Sequence, residues 1–330
     1  MISELFDECR VTLFNYRVLG ISGHLLNRSQ RLKPETILPA SQSSAVHRSN
    51  TRMNSTEPYK FETLAVTKPL DHVIQVELNR PDKRNAMNGT FWREMVDCFR
   101  QIADDADCRA VVLTGAGKIF TAGLDLMDMG SNLMSSDLEP SRRAHLLRKL
   151  ILFLQDSFRT IEKCPQPVIA AFHSACVGGG VDMICSCDIR LCSSDAWFQI
   201  KEIDIGLAAD LGTLQKFPKI IGNDSLAREL CFTGRRFTAE EALQFGFVSR
   251  VSPGRDSLVK EALELAGQIA KKSPVAMAGT KHNLNFSRDH SAQEGLEYMA
   301  TWNMAMLQTE DILKAVQSGM NKEEPVFSKL

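Results

Sequence analysis

The feature that most constrains this chain is a run of three glycines, Gly178 to Gly180, set between a predicted strand and a predicted helix. The preceding segment, Pro167 to Phe172, is short and apolar, as expected of a buried strand. An apolar run with helical spacing begins at Val181. A strand, a glycine turn and a helix start together direct unpaired backbone N–H groups at one point. Such a point stabilises an oxygen that becomes negative during a reaction.

Three acidic residues follow the glycines, namely Asp182, Glu202 and Asp210. An anion-binding turn beside carboxylates suits proton transfer next to a carbonyl group. Each acid also has a purely structural alternative: Glu202 as an exposed salt-bridged side chain, Asp210 as a helix N-cap, and Asp182 as a bystander. If the surroundings are apolar, burial should raise the pKa of at least one of these carboxyl groups.

The composition is that of an ordinary globular chain. It has 330 residues, 44% hydrophobic and 24% charged, enough for one large domain or two smaller ones. A net charge of −1 provides no general attraction for nucleic acid, and no apolar run approaches the roughly 18 residues that span a bilayer. Nine scattered cysteines without a C-x-x-C pair favour unpaired thiols in a reducing compartment over a metal site.

Both ends of the chain carry predicted targeting segments. Residues 1–55 are rich in Arg and Ser and contain few acids after Cys9, which is typical of an organelle transit peptide. We predict a mitochondrial leader there, with a disordered tail of no consequence as the alternative. The last three residues, Ser328-Lys329-Leu330, match the C-terminal address that a peroxisomal import receptor reads. The segment before them, Asn321 to Phe327, is predicted to be loose.

Strands alternate with helices through most of the remaining chain, which predicts a layered α/β fold. We assign residues 56–254 to the α/β core, residues 255–320 to a C-terminal helical region and residues 321–330 to a tail. Predicted strands include 73–78, 110–114 and 248–251, and predicted helices include 146–161, 225–231 and 256–272.

Three motifs, in this order, resemble the crotonase (enoyl-CoA hydratase/isomerase) superfamily. They are Asn79-Arg80-Pro81 with Asn85-Ala86-Met87-Asn88, then Phe120-Thr121-Ala122-Gly123-Leu124-Asp125-Leu126, then Gly178-Gly179-Gly180-Val181-Asp182. Residues 91–95, 122–129, 201–210 and 327–330 are further similar to the Δ(3,5)-Δ(2,4)-dienoyl-CoA isomerases within it. The resemblance runs from about Phe61 to Leu307. It implies a crotonase (ClpP-like) spiral of ββα units with a C-terminal helical trimerisation region, and homotrimers or homohexamers.

The resemblance also implies how the site works. The ligand would be an acyl-CoA, with no separate cofactor because coenzyme A is part of the substrate. The N–H groups of Ala122 and Gly179 would hold the thioester oxygen. The remaining substrate-binding residues would be Gly123, Leu124, Asp125 and Leu126. Glu202 would exchange a proton at C2 and Asp210 at C6, and Asp182, the third acid of the catalytic set, would line the pocket and tune its neighbours.

The functional hypothesis is therefore isomerisation of a 3,5-dienoyl-CoA in fatty-acid β-oxidation, in the peroxisome and the mitochondrion. The alternatives are an enoyl-CoA hydratase or a Δ3,Δ2-enoyl-CoA isomerase on the same fold, and a non-catalytic binding protein. Family hydratases carry a glutamate where this chain has the shorter Asp182, which disfavours hydration. Lys83, Arg84 and Lys281 are candidate partners for the CoA phosphates, with ordinary surface charge as the alternative.

Overall fold

The computed structural model describes residues 59–128 and 138–330, so the predicted leader over residues 1–55 lies outside the described residues. The described strands are β1 (Leu64–Leu70), β2 (Val73–Leu78), β3 (Ala110–Gly115), β4 (Val168–Phe172), β5 (Ala175–Val177), β6 (Ile189–Ser193), β7 (Trp197–Gln199), β8 (Phe237–Thr238) and β9 (Arg250–Ser252). The described α-helices are α1 (Gly89–Asp104), α2 (Pro140–Lys163), α3 (Gly179–Ile184), α4 (Thr213–Ile221), α5 (Asp224–Thr233), α6 (Ala239–Gln244), α7 (Arg255–Ala270), α8 (Pro274–Arg288), α9 (Ala292–Met306) and α10 (Asp311–Asn321). Two 3₁₀ turns span Pro81–Lys83 and Glu202–Ile205.

Two sheets organise these elements. The larger has the order β1-β2-β3-β4-β6-β9 and is parallel except for the β1–β2 pair. The smaller has the order β5-β7-β8, with β5 and β7 parallel. From β4 onward the chain passes back and forth between the two sheets and places helices between the strands. The predicted α/β architecture is confirmed.

The central strands β3 and β4 are buried along their whole length, because both faces of the large sheet are covered. One face carries the main core, which includes Phe99 of α1 and Phe158 of α2. On the other face α7 packs small side chains, such as Ala262 and Ala266, against alternate strand residues such as Val112. Burial on both faces explains why these strands read as continuous apolar runs.

The structure differs from the sequence-based prediction at several element boundaries. Strand β1 and helix α4 were not predicted as separate elements. Strand β9 begins at Arg250 rather than Val248, because the N–H of Val248 donates to the carbonyl of Ala242 and closes helix α6. Among the described residues no helix combines the length and apolarity needed to cross a membrane.

The end of the chain also differs from the prediction. The segment up to Phe327 was expected to be loose, but the Phe327 side chain is buried. Its carbonyl oxygen accepts a hydrogen bond from Nη2 of Arg109 at 2.8 Å. Phe327 is therefore packed onto the core, and its carbonyl supplies an acceptor to a buried guanidinium.

Lys281 of α8 does not reach outward to a ligand. Its side chain is buried, and Nζ lies 2.9 Å from the carbonyl oxygens of Ile161 and Gln166. The same nitrogen lies 2.8 Å from a carboxylate oxygen of Asp188. An ammonium group has three donors, and all three are engaged here. The candidate role of Lys281 as a phosphate partner is therefore wrong; it ties α8 to the end of α2 and to the loop before β6.

We predict that Lys281→Ala destabilises the protein by about 3 kcal/mol, because it removes a buried ammonium group from the half-buried carboxylate of Asp188 and from two carbonyl groups. Urea unfolding measures the change. Lys163→Ala, at an exposed lysine of α2, is the control and should stay within about 0.5 kcal/mol of the wild type. Unchanged stability in Lys281→Ala together with weakened acyl-CoA binding would contradict this interpretation.

Candidate active site

A buried asparagine positions the loop that begins at Thr121. Asn85 donates from Nδ2 to the carbonyl oxygens of Ala116 and Phe120, at 2.8 and 2.9 Å. Oγ1 of Thr121 in turn donates to the backbone carbonyl of Asn85 at 2.7 Å. A satisfied buried polar network of this kind rigidifies the segments that it joins. The segment that precedes α1 is thus held to the loop that follows β3.

Glycine allows this loop to touch the glycine turn. Gly123 has a φ of +83°, and a Cβ on it would lie 2.6 Å from the carbonyl oxygen of Val177. A Cβ on Gly180 would overlap the methyl group of Thr121. Hydrogen bonds from the N–H of Thr121 to Ala175 and from the N–H of Val177 to Thr121 complete the contact. A side chain at either glycine would force the two segments apart.

The N–H of Ala122 does not point at a ligand site. It donates to the carbonyl of Arg84 at 2.9 Å, although the Ala122 residue does contact the cavity described below. The expected role of Ala122 as an oxyanion donor is therefore wrong, because a donor already paired with a carbonyl is not available to a substrate oxygen. The N–H of Gly123 is also engaged, by Oγ1 of Thr121 at 3.1 Å.

Two other backbone N–H groups are available. Among the residues that the structure describes, the N–H groups of Leu124 and Gly179 have no acceptor. Gly179 is the first residue of α3, where N–H groups have no partner inside the helix. Both residues line the same cavity. The second predicted donor, Gly179, thus lies where it was expected, and its companion is Leu124.

Gly178 brings the carboxyl group of Glu202 against this turn. It has φ +54° and ψ −123°, a backbone conformation that side chains rarely adopt. A Cβ at this position would lie 3.1 Å from Oε1 of Glu202. The N–H of Gly178 donates to Gln199 at 2.9 Å, at the end of β7 and just before the 3₁₀ turn that carries Glu202.

A cavity of about 160 Å³ opens in front of these groups. Of the predicted site residues it is lined by Ala122, Leu124, Leu126, Gly179, Glu202 and Asp210. Gly123, Asp125 and Asp182 are not among the residues that line it. The rest of the wall is largely apolar and is formed by Trp92, Val177, Ile205, Leu207 and Leu211, with Gly178 and Lys201. The two acids therefore face one cavity whose surface is otherwise suited to a hydrocarbon chain.

Asp182 lies behind the cavity. Its side chain is 1% exposed, and Oδ1 accepts a hydrogen bond from the N–H of Thr213 at 2.6 Å. Thr213 is the first residue of α4, so Asp182 holds the start of the helix that follows the Asp210 segment. The expectation that Asp182 lines the pocket is wrong, because this hydrogen bond draws its carboxylate to the helix N-terminus.

Asp125 supports the loop from outside the cavity. Its carboxylate pairs with Nη1 of Arg80 at 3.1 Å. Its N–H donates to the carbonyl of Met87 at 3.0 Å, while the N–H of Met87 donates to Gly123 at 2.8 Å. This reciprocal pairing leaves the N–H of Leu124, between them, on the cavity side. Asp125 thus contributes to the site by fixing the direction of that donor.

Burial and mutual repulsion shift the acids toward their neutral forms. Removal from water, reinforced by the charges of Asp182 and Asp210, raises the pKa of Glu202 to about 7. Burial likewise raises the pKa of Asp182 to about 6, against the opposing effect of the Thr213 hydrogen bonds. The pKa of Asp210 is raised by its partial burial. Oε2 of Glu202 is buried without a hydrogen-bond partner in the described structure. A carboxyl group in this state can exchange protons near neutral pH.

The structural alternatives for two of the acids can now be assessed. Helix α4 has Gly212 as its N-cap, so Asp210 does not cap it. Glu202 forms no salt bridge among the described residues, and its buried Oε2 is inconsistent with an exposed ion pair. The sequence did not identify Leu124 as a donor, because a motif lists residues without showing which N–H groups are already bonded. The sequence also did not predict the apolar wall that includes Ile205 and Leu211, because its residues lack regular periodicity.

Comparison with known proteins identifies the family of this chain. The family model described as enoyl-CoA hydratase/isomerase matches residues 70–329. The mitochondrial Δ(3,5)-Δ(2,4)-dienoyl-CoA isomerase of Rattus norvegicus is 52% identical over 318 residues, covering 95% of this chain and 97% of the relative. The peroxisomal Δ(3,5)-Δ(2,4)-dienoyl-CoA isomerase of Arabidopsis thaliana is 42% identical over 276 residues, covering 83% of this chain and 99% of the relative.

Solved structures share the fold. A putative enoyl-CoA hydratase from Streptomyces coelicolor superposes with a TM-score of 0.75 at 26% identity, covering 84% of this chain and 98% of that one. The enoyl-CoA hydratase of Bacillus anthracis superposes with a TM-score of 0.73 at 29% identity, covering 81% and 99%. The resemblance seen in the sequence is confirmed, and with it the crotonase spiral: this chain belongs to the enoyl-CoA hydratase/isomerase family, the crotonase superfamily.

Proposed function

We propose that this protein is an isomerase of fatty-acid β-oxidation that converts 3,5-dienoyl-CoA thioesters into their 2,4-dienoyl isomers. The observation that carries the proposal is one cavity bordered by two carboxyl residues, Glu202 and Asp210, and by the unpaired N–H groups of Leu124 and Gly179. The names of the rat and Arabidopsis relatives support it. The acyl-CoA substrate brings its own coenzyme A, so the proposed chemistry requires no other cofactor and no metal.

The first step is removal of a proton from C2. The thioester oxygen accepts hydrogen bonds from the N–H groups of Leu124 and Gly179, and Glu202 takes the C2 proton. The electrons of the broken C–H bond move into the carbonyl and leave a dienolate. Because both donors are already held in place, each contributes about 3 kcal/mol of stabilisation to the developing oxyanion without reorganisation. The positive end of the short helix α3 acts in the same direction.

The second step is protonation of C6 by the carboxylic acid of Asp210. The electrons return from the enolate oxygen, and both double bonds shift by one carbon toward the thioester. The substrate has double bonds at C3 and C5, and the product has them at C2 and C4, conjugated with the carbonyl. Glu202 ends protonated and Asp210 ionised, so the cycle closes when Glu202 releases its proton to solvent and Asp210 takes one up. One carboxylate could not serve two carbons this far apart along the chain.

The alternatives are less well supported. Hydration requires a second carboxylate beside Glu202 to direct a water molecule, whereas Asp182 is bonded to Thr213 behind the cavity. A Δ3,Δ2-enoyl-CoA isomerase moves a proton only between C2 and C4, and that reaction would give Asp210 no catalytic role. A non-catalytic binding protein would gain nothing from an unpaired buried carboxyl group at position 202, which costs stability. The relatives' names also favour the dienoyl-CoA isomerase.

The cellular compartment of this protein is also part of the proposal. The relatives include mitochondrial and peroxisomal proteins. We infer that the N-terminal leader and the Ser328-Lys329-Leu330 terminus direct this chain to both compartments, the latter through a peroxisomal import receptor.

We expect Asp210→Asn to reduce turnover of a 3,5-dienoyl-CoA by at least about 100-fold, because an amide cannot donate a proton to C6 as an acid does. Acyl-CoA binding should be retained, since the oxyanion donors are untouched. The appearance of conjugated 2,4-dienoyl-CoA absorbance measures turnover, and titration with a saturated acyl-CoA measures binding. Asp204→Asn, at a nearby acid outside the cavity, is the matched control. Unchanged turnover in Asp210→Asn would remove Asp210 from the mechanism.

The raised pKa of Glu202 predicts the pH dependence of the reaction. The base must be ionised to take the C2 proton, so kcat/KM should fall below a pH of about 7, by up to tenfold per pH unit. Asp182→Asn removes a neighbouring negative charge and should move this inflection to lower pH. The asparagine oxygen can still accept from the N–H of Thr213, which keeps α4 in place. An inflection at the same pH in both proteins would show that Asp182 does not tune Glu202.

The C-terminal helices support the proposed trimer or hexamer. Helices α9 and α10, with the C-cap residue of α9, expose a set of large apolar side chains, namely Leu296, Met304, Leu307, Leu313, Val316 and Met320. Exposed apolar area of this kind is typical of an interface. Light scattering on the eluting protein should therefore give a mass of three or six chains; a monomer at micromolar concentration would exclude this assembly.

A further inference from the structure

The segment that carries Asp210 belongs to no helix or strand. It runs from the end of the 3₁₀ turn Glu202–Ile205 to Gly212, the N-cap of α4. Gly206 and Gly212 both have positive φ values, of +79° and +137°. A side chain on an irregular segment is placed less precisely than one on a helix or strand. The position of the Asp210 carboxyl group therefore depends on contacts from other parts of the protein.

Two side chains hold this segment from outside it. Oδ1 of Asp182 accepts from the N–H of Thr213 at 2.6 Å, just after the segment ends. At Asp210 itself, Nε2 of Gln155 donates to the backbone carbonyl at 2.7 Å. Within the part of the chain that the structure describes, this is the only hydrogen bond between another residue and the backbone of residues 208–211. Gln155 is thus the direct attachment of the acid to the rest of the fold.

Helix α2 gives Gln155 a fixed base. Leu154 and Phe158, which flank Gln155 in the sequence, are buried in the main core. The centroid of the Phe158 ring lies 5.3 Å from that of Trp92. Trp92 lines the active-site cavity and approaches Gly179, where a Cβ would lie 3.9 Å from the indole ring. The same turns of α2 therefore support the cavity wall beside an oxyanion donor and hold the backbone of the distal acid.

We propose that Gln155 is a positioning residue that holds the carboxyl group of Asp210 where C6 of the bound substrate is protonated. This inference rests on the proposed function and adds a residue to it. Gln155 does not line the cavity, so it acts on the reaction only through Asp210. Its contribution is geometric, because proton transfer to carbon requires the acid within a narrow range of distance and direction.

A poorly held Asp210 impairs the second chemical step and leaves the first intact. Glu202 still breaks the C2–H bond, and the dienolate still forms. Without an acid in place at C6, the dienolate takes a proton back from Glu202 at C2 and returns to the 3,5-diene. In D₂O the carboxyl group of Glu202 exchanges its proton with solvent, so part of the recovered substrate carries a new C2–D bond. The ratio of C2 exchange to isomerisation therefore reports how well Asp210 is placed.

The test variant is Gln155→Met, which removes the donor and keeps a side chain of similar length. We expect kcat to fall at least about fivefold and the ratio of C2 exchange to isomerisation to rise by a similar factor. Binding of a saturated acyl-CoA should be unchanged. Absorbance of the 2,4-diene measures isomerisation, and mass spectrometry of recovered substrate measures exchange. Gln101→Met, the same change at an exposed glutamine of α1, is the matched control and should behave as the wild type does.

A double variant shows whether Gln155 acts through Asp210. When Gln155→Met is added to Asp210→Asn, turnover should fall by less than about twofold further, because no acid is left to position. An equal loss in both backgrounds would overturn the inference, as would a parallel fall of exchange and isomerisation in Gln155→Met, which indicates general structural damage. Unchanged kcat in Gln155→Met would overturn it as well. Absence of isomerisation in the wild-type protein would instead overturn the proposed function.

Discussion

The contact between the loop after β3 and the glycine turn before α3 is the interaction on which the rest of the site depends. Gly123 and Gly180 permit an approach that a Cβ at either position would prevent. Two backbone segments brought this close present the N–H groups of Leu124 and Gly179 to the same space. Strand β5 supplies the rigidity for this, since the glycine turn directly follows it and Thr121 pairs with its residue Cys176.

The acids are arranged around that contact at a cost in stability. Glu202 keeps a buried oxygen without a partner, and its raised pKa records the unfavourable free energy of ionising it there. Asp182 offsets its own burial by holding the N-terminus of α4, and so steadies the segment that carries Asp210. One acid thus supports the site, and the other two face the cavity.

Two buried basic residues hold the fold together, and one of them, Lys281, had been a candidate ligand partner. Lys281 satisfies two carbonyl groups and a carboxylate inside the protein, and Arg109 connects α7 to the tail. Buried cations of this kind are kept only where several acceptors surround them. The same logic makes Phe327, near the end of the chain, part of the folded domain.

The sequence by itself determined the alternation of strands and helices, the glycine turn, and the family, because these follow from local periodicity and from motifs in a given order. It also singled out Glu202 and Asp210, which the structure places at one cavity. Only the tertiary structure decided that Leu124 rather than Ala122 offers its N–H, that Asp182 turns away to Thr213, and that Phe327 is buried against Arg109. The reason is physical. Whether a donor, a carboxylate or a side chain near the terminus is free depends on whether a distant segment packs against it, and local sequence patterns do not show that packing.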